Sequence, residues 1–234
     1  MWCGSGTMAG MERSPQVIRT PLRAGLGAVV AIKPLGQAKT RLATVPGPLR
    51  RDLVLAMLLD TVGVLSGAAR TVVVTAEPDL KHRLDDHGLD VQVVEEAEPT
   101  GLNQALRFGE EALHRQGIRR VMACVADLPA LRAESLQAVI NAAGRQPRSF
   151  LADADGIGTT MVFADGVDLD PHFGPGSALA HRDSGAVPLL DDAIGRSVPD
   201  ARRDVDTEDD LDEISRYDLG PRTRAALNAW TRIA

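Results

Sequence analysis

Four short runs rich in β-branched and small apolar residues, GAVVAI (Gly27–Ile32), RTVVVTA (Arg70–Ala76), DVQVVEE (Asp90–Glu96) and VMACVA (Val121–Ala126), recur along the first two thirds of the chain. Between them lie longer stretches with apolar residues at helical spacing: PLRRDLVLAMLLDTVGVLSG, EPDLKHRLDDHG, GLNQALRFGEEALHRQG and, after the fourth run, LRAESLQAVINAAG. Each ends near a glycine, the residue that most easily takes the left-handed conformation closing a helix. Strand, helix and strand repeated in this way need crossover connections. The pattern therefore predicts an α/β fold built on a mostly parallel sheet.

After about Arg148 the rhythm changes. SFLADADGIGTTMVFADG reads as two strands joined by a Gly-rich turn, HFGPGSALAHRDSGA as a loop and a short helix, and RRDVDTEDDLDEIS as a strand end followed by a capped helix. This switch predicts a small β-rich insertion covering one end of the sheet. With no internal repeat and no low-complexity linker, residues 19–234 are expected to form one domain. Residues 1–18, which contain MWCGSGTMAGMERSPQ, are expected to be a disordered extension, and Met8 and Met11 are both candidate starts.

Composition narrows the function classes. A net charge of -6 offers no electrostatic case for a nucleic-acid partner, and an aromatic content of 3% argues against platforms on which bases stack. Two cysteines, Cys3 and Cys124, cannot make a disulfide framework, and Cys124 lies in an apolar run where a reduced thiol is usual. No stretch of about 18 apolar residues and no signal-peptide core is present, so a cytoplasmic protein with no membrane partner is expected. An anionic ligand would have to be met by a local cationic cluster or a metal ion.

Three features supply such chemistry. VMACVADLPAL delivers Asp127 beyond an apolar strand, and Pro129, which lacks an N–H and disfavours helix at Leu128, ends that strand so that the carboxylate projects into a loop. In open parallel sheets that is where ligands bind; the alternative is that Asp127 caps the helix after Pro129. KPLGQAKTRL puts Lys33, Lys39 and Arg41 in the loop after the first strand, suited to a polyphosphate or equally to a solvated basic turn. It carries neither the GxGxxG nor the P-loop pattern. RRDVDTEDDL places Asp204 and Asp206 two residues apart, on one face of an extended segment, with Thr207 as a helix cap. Asp127, Asp204 and Asp206 form a candidate Mg²⁺ site, because that ion takes one or two protein carboxylates together with water and phosphate oxygens.

DGIGTTMV and HFGPGS add glycine-freed backbone N–H groups and the hydroxyls of Thr159 and Ser177, which could hold a small phosphorylated acid; a tight hairpin turn explains the first as well. His181, Arg182 and Ser184 follow, and a lone histidine after an Ala-rich turn is expected at the surface.

In this order and at these separations, AIKPLGQAKTRL, GLNQAL, VADLPAL, RSFLADADGIGTTMVF, HFGPGSALAHRDSGAV and RDVDTEDDL closely resemble the guanylyltransferases of coenzyme F420 biosynthesis, the CofC/FbiD family. The resemblance runs from Gly27 to about Arg222. It implies a Rossmann-like nucleotidyltransferase of the glycosyltransferase-A type that joins GMP from GTP to the phosphate of phosphoenolpyruvate or 2-phospho-L-lactate, releases pyrophosphate and uses Mg²⁺. Carried onto this sequence, it makes Asp127 and Asp204 the metal-holding carboxylates, with Asp206 close by. It makes Lys33, Lys39 and Arg41 the loop that meets the triphosphate, and puts Gly101 and Asn103 near the nucleotide. Thr159, Gly174 and Ser177 would surround the acceptor. High alanine and arginine usage, of the kind found in GC-rich actinobacteria, leans the acceptor towards phosphoenolpyruvate. The competing readings are a related enzyme acting on 3-phosphoglycerate or the molybdenum cofactor, whose first loop would be richer in glycine, and a ligand-binding domain without activity. A monomer or a homodimer fits equally.

Overall fold

The computed structural model describes residues 25–42 and 44–231. The extension expected to be disordered, residues 1–18, lies outside the described residues. The expected strands and helices form in sequence order: β1 (Leu26–Ile32), α1 (Gly47–Ala68), β2 (Arg70–Thr75), α2 (Leu80–Asp86), β3 (Gln92–Glu95), α3 (Leu102–Arg115), β4 (Arg120–Cys124) and α4 (Ala133–Ala143). A hairpin of β5 (Arg148–Ala152) and β6 (Thr159–Asp165) follows, then α5 (Ser177–Asp183), β7 (Val187–Pro188), α6 (Asp191–Ile194), α7 (Pro199–Arg202), α8 (Glu208–Ile214) and α9 (Pro221–Thr231). No helix among the described residues is long and apolar enough to cross a membrane.

One sheet of seven strands has the order β3-β2-β1-β4-β6-β5-β7. β3, β2, β1 and β4 pair in parallel, β6 runs against both β4 and β5, and β7 is parallel to β5. Strand order reverses at β1, whose neighbours are β2 and β4, so the crevice expected of a doubly wound sheet opens beyond the carboxyl ends of β1 and β4. Both faces are covered. On β1, Ala28 and Val30 pack into a core with Leu58, Leu59 and Ile140, while Val29 and Ala31 face a second core containing Leu106 and Leu113 of α3. The alternation explains why this strand is apolar throughout. The α3 backbone lies so close to β1 that a Cβ on Gly109 would collide with Val29.

The expected insertion takes a different form. β6 slides between β4 and β5 and extends the main sheet, because Val162 and Met161, like Phe150 and Leu151 beside them, bury against opposite faces and leave no solvent side on which a separate hairpin could ride. The segment after α7 likewise does not pair as a strand.

A third core fixes the mouth of the crevice. Leu35 and Leu42 from the loop after β1, Ala130 from the loop after β4, and Val205, Leu211 and Ile214 from the C-terminal region pack together. Three loops distant in sequence are thereby held against one another.

Candidate active site

A cleft of about 690 Å³ crosses the carboxyl ends of the strands. Ten of the residues expected from sequence line it: Lys33, Lys39, Arg41, Gly101, Asp127, Thr159, Gly174, Ser177, Asp204 and Asp206. The eleventh, Asn103, does not.

Asp127 lies three residues beyond the end of β4 and is almost fully buried. The Leu128 N–H donates to Thr61 Oγ1 at 3.0 Å and Leu128 itself is fully buried, which fixes the chain on the far side of the carboxylate. The capping alternative drops out, because α4 starts only at Ala133 with Arg132 at its cap. The acid serving that helix is Asp200, which accepts the Arg132 N–H at 2.9 Å and the Ser135 hydroxyl at 2.8 Å.

Asp204 and Asp206 reach the same place because Val205 between them is buried in the third core; in an extended segment its neighbours must point the other way, into the cleft. The segment is stitched to the sheet by Thr160 Oγ1 donating to the Ala201 carbonyl and the Ala154 N–H donating to that of Arg202, both at 2.8 Å. Thr207 then caps α8 in a reciprocal capping box with Asp210. One oxygen from each of Asp127, Asp204 and Asp206 lies within 4.8 Å of the others. Burial, reinforced by the charges of Asp127 and Asp206 and relieved in part by Lys39, pushes the Asp204 pKa up to about 7.

Lys39 stands among these acids. Its ammonium pairs with Asp127 and lies 2.5 Å from Asp206 Oδ1. Burial works against its charge, but the two carboxylates outweigh that and hold its pKa above the ordinary lysine range. Its backbone takes the left-handed conformation, φ 52°, a strain of about 1–2 kcal/mol for a residue with a Cβ. Lys33 and Arg41 are exposed and make no ion pair among the described residues. Glu77 anchors their loop by accepting the Leu35 N–H at 2.6 Å.

At the other end of the cleft the Gly-rich segments meet. Asp153 accepts the N–H groups of Ile157 at 3.0 Å and Gly158 at 2.7 Å, closing the turn before β6, and Gly174 and Gly176 adopt positive φ. His181, expected at the surface, is fully buried against Phe150, His172 and Phe173. Its Nε2 accepts the His172 N–H at 2.9 Å, so the ring proton sits on Nδ1, 3.0 Å from Thr159 Oγ1. The Thr159 hydroxyl is thereby held beside the buried ring. Burial pulls the His181 pKa down to about 4, against a backbone hydrogen bond at Ser177 that works the other way.

Asn103 ties the two ends together. Its amide donates to the Phe173 carbonyl at 3.0 Å and accepts the Phe173 N–H at 2.8 Å, fixing the loop that carries Gly174 to the first turn of α3. Sequence reasoning missed Asp153, Phe173, Glu96 and Leu102 in the lining; only the DADG turn pattern around Asp153 could have pointed to one of them.

The donor set is oxygen only, which suits a hard divalent cation such as Mg²⁺ or Mn²⁺ rather than a thiolate- or imidazole-seeking metal, and the Lys39 ammonium already occupies the convergence of charge as a cation would. A carboxylate cluster flanked by exposed cations on one side and by hydroxyls and glycine backbone on the other can align two phosphorylated molecules.

Comparison with known proteins agrees. The profile of the family described as guanylyl transferase CofC like matches residues 26–229. A phosphoenolpyruvate guanylyltransferase of Mycobacterium sp. (strain KMS) is 44% identical over 214 residues, covering 89% of this chain and 94% of its own. That of Mycolicibacterium smegmatis is 38% identical over 224 residues, covering 93% and 98%. Among solved structures, a Desulfovibrio desulfuricans protein provisionally assigned as a nucleotide-diphospho-sugar transferase superimposes with a TM-score of 0.62 at 17% identity, covering 88% of this chain and 94% of its own. The manganese complex of Rv0371c from Mycobacterium tuberculosis H37Rv gives 0.50 at 19% identity, covering 81% and 97%. At these identities the structures establish the fold.

Proposed function

The chain belongs to the CofC-like guanylyl transferase family, a group of nucleotidyltransferases, and we propose that it transfers GMP from GTP to the phosphate of phosphoenolpyruvate in the biosynthesis of coenzyme F420. The observation that carries the reading is the convergence of Asp127, Asp204, Asp206 and Lys39 at the switch point of the sheet, between the Lys33–Arg41 loop and the Thr159–Ser177 pocket.

In the proposed reaction an oxygen of the acceptor phosphate bonds to the α-phosphorus of GTP while the bond from that phosphorus to the β-phosphate bridging oxygen breaks, and the electron pair leaves with pyrophosphate. The acceptor is already anionic at neutral pH, so no general base is needed. The chain has to hold two anions in line and offset their charge. Lys33 and Arg41 are the cations available to the β- and γ-phosphates, and Lys39 can follow the charge that develops on the leaving group. The Thr159 hydroxyl, held by His181, with the backbone of Gly174 and Ser177, orients the acid. Asp127, Asp204 and Asp206 would hold a Mg²⁺ ion, which supplies charge neutralisation at the triphosphate. Among the described residues that line the cleft there is no Ser-His or Cys-His pair, which fits a reaction that needs no protein nucleophile.

The test is pyrophosphate release from GTP and Mg²⁺ with phosphoenolpyruvate, 2-phospho-L-lactate or 3-phosphoglycerate in separate reactions, with the product mass measured. Release that depends on phosphoenolpyruvate and yields its guanylyl adduct is expected; release with none of the acids overturns the reading.

A further inference from the structure

The end of the cleft beyond β2 and β3 differs from the rest. Ala76, Pro99, Leu102 and Ala105 give it apolar walls, and one acid, Glu96, lies among them. Glu96 is fixed. Its backbone N–H donates to the Thr75 carbonyl at 2.8 Å, continuing the β2–β3 pairing, and its Oε1 accepts the Thr100 hydroxyl at 2.5 Å. Oε2 takes no hydrogen bond among the described residues. Glu96 is also outside the Asp127, Asp204, Asp206 cluster, so the metal chemistry leaves it unexplained.

We infer that Glu96 selects the base of the nucleotide, accepting the N1–H and exocyclic 2-amino hydrogens of guanine while the base lies on the apolar shelf. The inference rests on the transferase reading and adds to it a residue for base choice. A carboxylate offers acceptors only, so it pairs with an edge that presents two adjacent donors. Guanine has that edge; adenine and cytosine each present a bare ring nitrogen where the second donor would be. A triphosphate or a phosphorylated acid would be repelled by Glu96, which leaves the neutral base as the part of the substrates suited to this end. Sheet order agrees, with β3 and β2 on one side of the metal-holding acids and β6 and β5, carrying the hydroxyl and glycine pocket, on the other.

The experiment compares GTP with ITP, which lacks the 2-amino group, and with ATP, in wild-type protein and in Glu96→Gln. Two measurements are made: kcat/KM with phosphoenolpyruvate and Mg²⁺, and nucleotide affinity by calorimetry without acid. Wild type should favour GTP over ITP by roughly 10- to 100-fold, the range for hydrogen bonds to a charged group, and Glu96→Gln should bring that ratio close to one. An unchanged GTP-over-ITP ratio in Glu96→Gln overturns the inference. If wild type transfers GMP to no acid, the transferase reading fails by itself, and the calorimetric ratio still decides the role of Glu96.

Discussion

Lys39 Nζ lies 2.5 Å from Asp206 Oδ1 while also pairing with Asp127, so the protein's own ammonium occupies the point to which the acidic side chains converge. A divalent cation entering the site must displace it or share the carboxylates with it. Lys39→Met should therefore bind Mn²⁺ more tightly than wild type in calorimetry while losing turnover, because the charge that follows the leaving group is gone. Asp127→Ala should lose both metal affinity and about 2–4 kcal/mol of transition-state stabilisation, roughly 30- to 10³-fold in kcat. Near-wild-type turnover of a folded Asp127→Ala protein at ordinary Mg²⁺ would remove Asp127 from the site.

Asp204 gives metal binding a defined pH dependence. Its pKa of about 7 means that a proton competes with the ion below that pH, so Mn²⁺ affinity should fall by about tenfold per pH unit below 7 and level off above it. For stability the sign is opposite to that of an ordinary salt-bridged acid. The folded pKa lies above the unfolded value of 3.8, so the stabilisation is complete below 3.8 and is lost as pH rises through 7. In chelator, Asp204→Asn should flatten this loss in thermal unfolding, and added Mn²⁺ should offset it in wild type.

The parts of this site that could be read from sequence are those whose cause is local. Asp127 follows from an apolar run cut by Pro129, and Asp204 with Asp206 follows from spacing around Val205. The parts that could not be read depend on packing between distant segments. Asp200 replaces Asp127 as the acid at the start of α4 from 65 residues away in sequence. β6 takes its place between β4 and β5, although nothing in the text from Arg148 to Asp165 distinguishes a sheet strand from a covering hairpin. His181 is polar by composition and buried only because Phe150, Phe173 and Thr159 surround it.

That histidine should leave a signature of its own. Its folded pKa of about 4 is below the usual 6.5, so between those values the unfolded chain holds the extra proton. The stability it contributes is present above 6.5 and is lost as pH falls towards 4, by up to about 1.4 kcal/mol per pH unit. His181→Phe keeps the aromatic packing and removes the titration. The difference between this variant and wild type in denaturant unfolding should therefore shrink as pH falls. A constant difference from pH 7 to pH 4 would mean that His181 is not held neutral. The same variant releases Thr159, so KM for the acid should rise more than KM for GTP.

Asn103 separates a positioning role from a contact with the nucleotide. Both groups of its amide are engaged by the Phe173 backbone, and the loop so held carries Gly174 into the acceptor pocket. Asn103→Ala leaves the Phe173 N–H and carbonyl without these partners, which should cost about 1–3 kcal/mol of stability. Loosening this loop should raise KM for phosphoenolpyruvate several-fold and leave KM for GTP close to wild type. Asn103→Asp keeps the acceptor for the Phe173 N–H and should recover part of the stability, but it brings a carboxylate towards the Phe173 carbonyl and should not recover all of it. A rise in KM for GTP with unchanged KM for the acid would instead make Asn103 a nucleotide ligand, the role implied by its place in GLNQAL, and would require the amide to leave Phe173 when GTP binds.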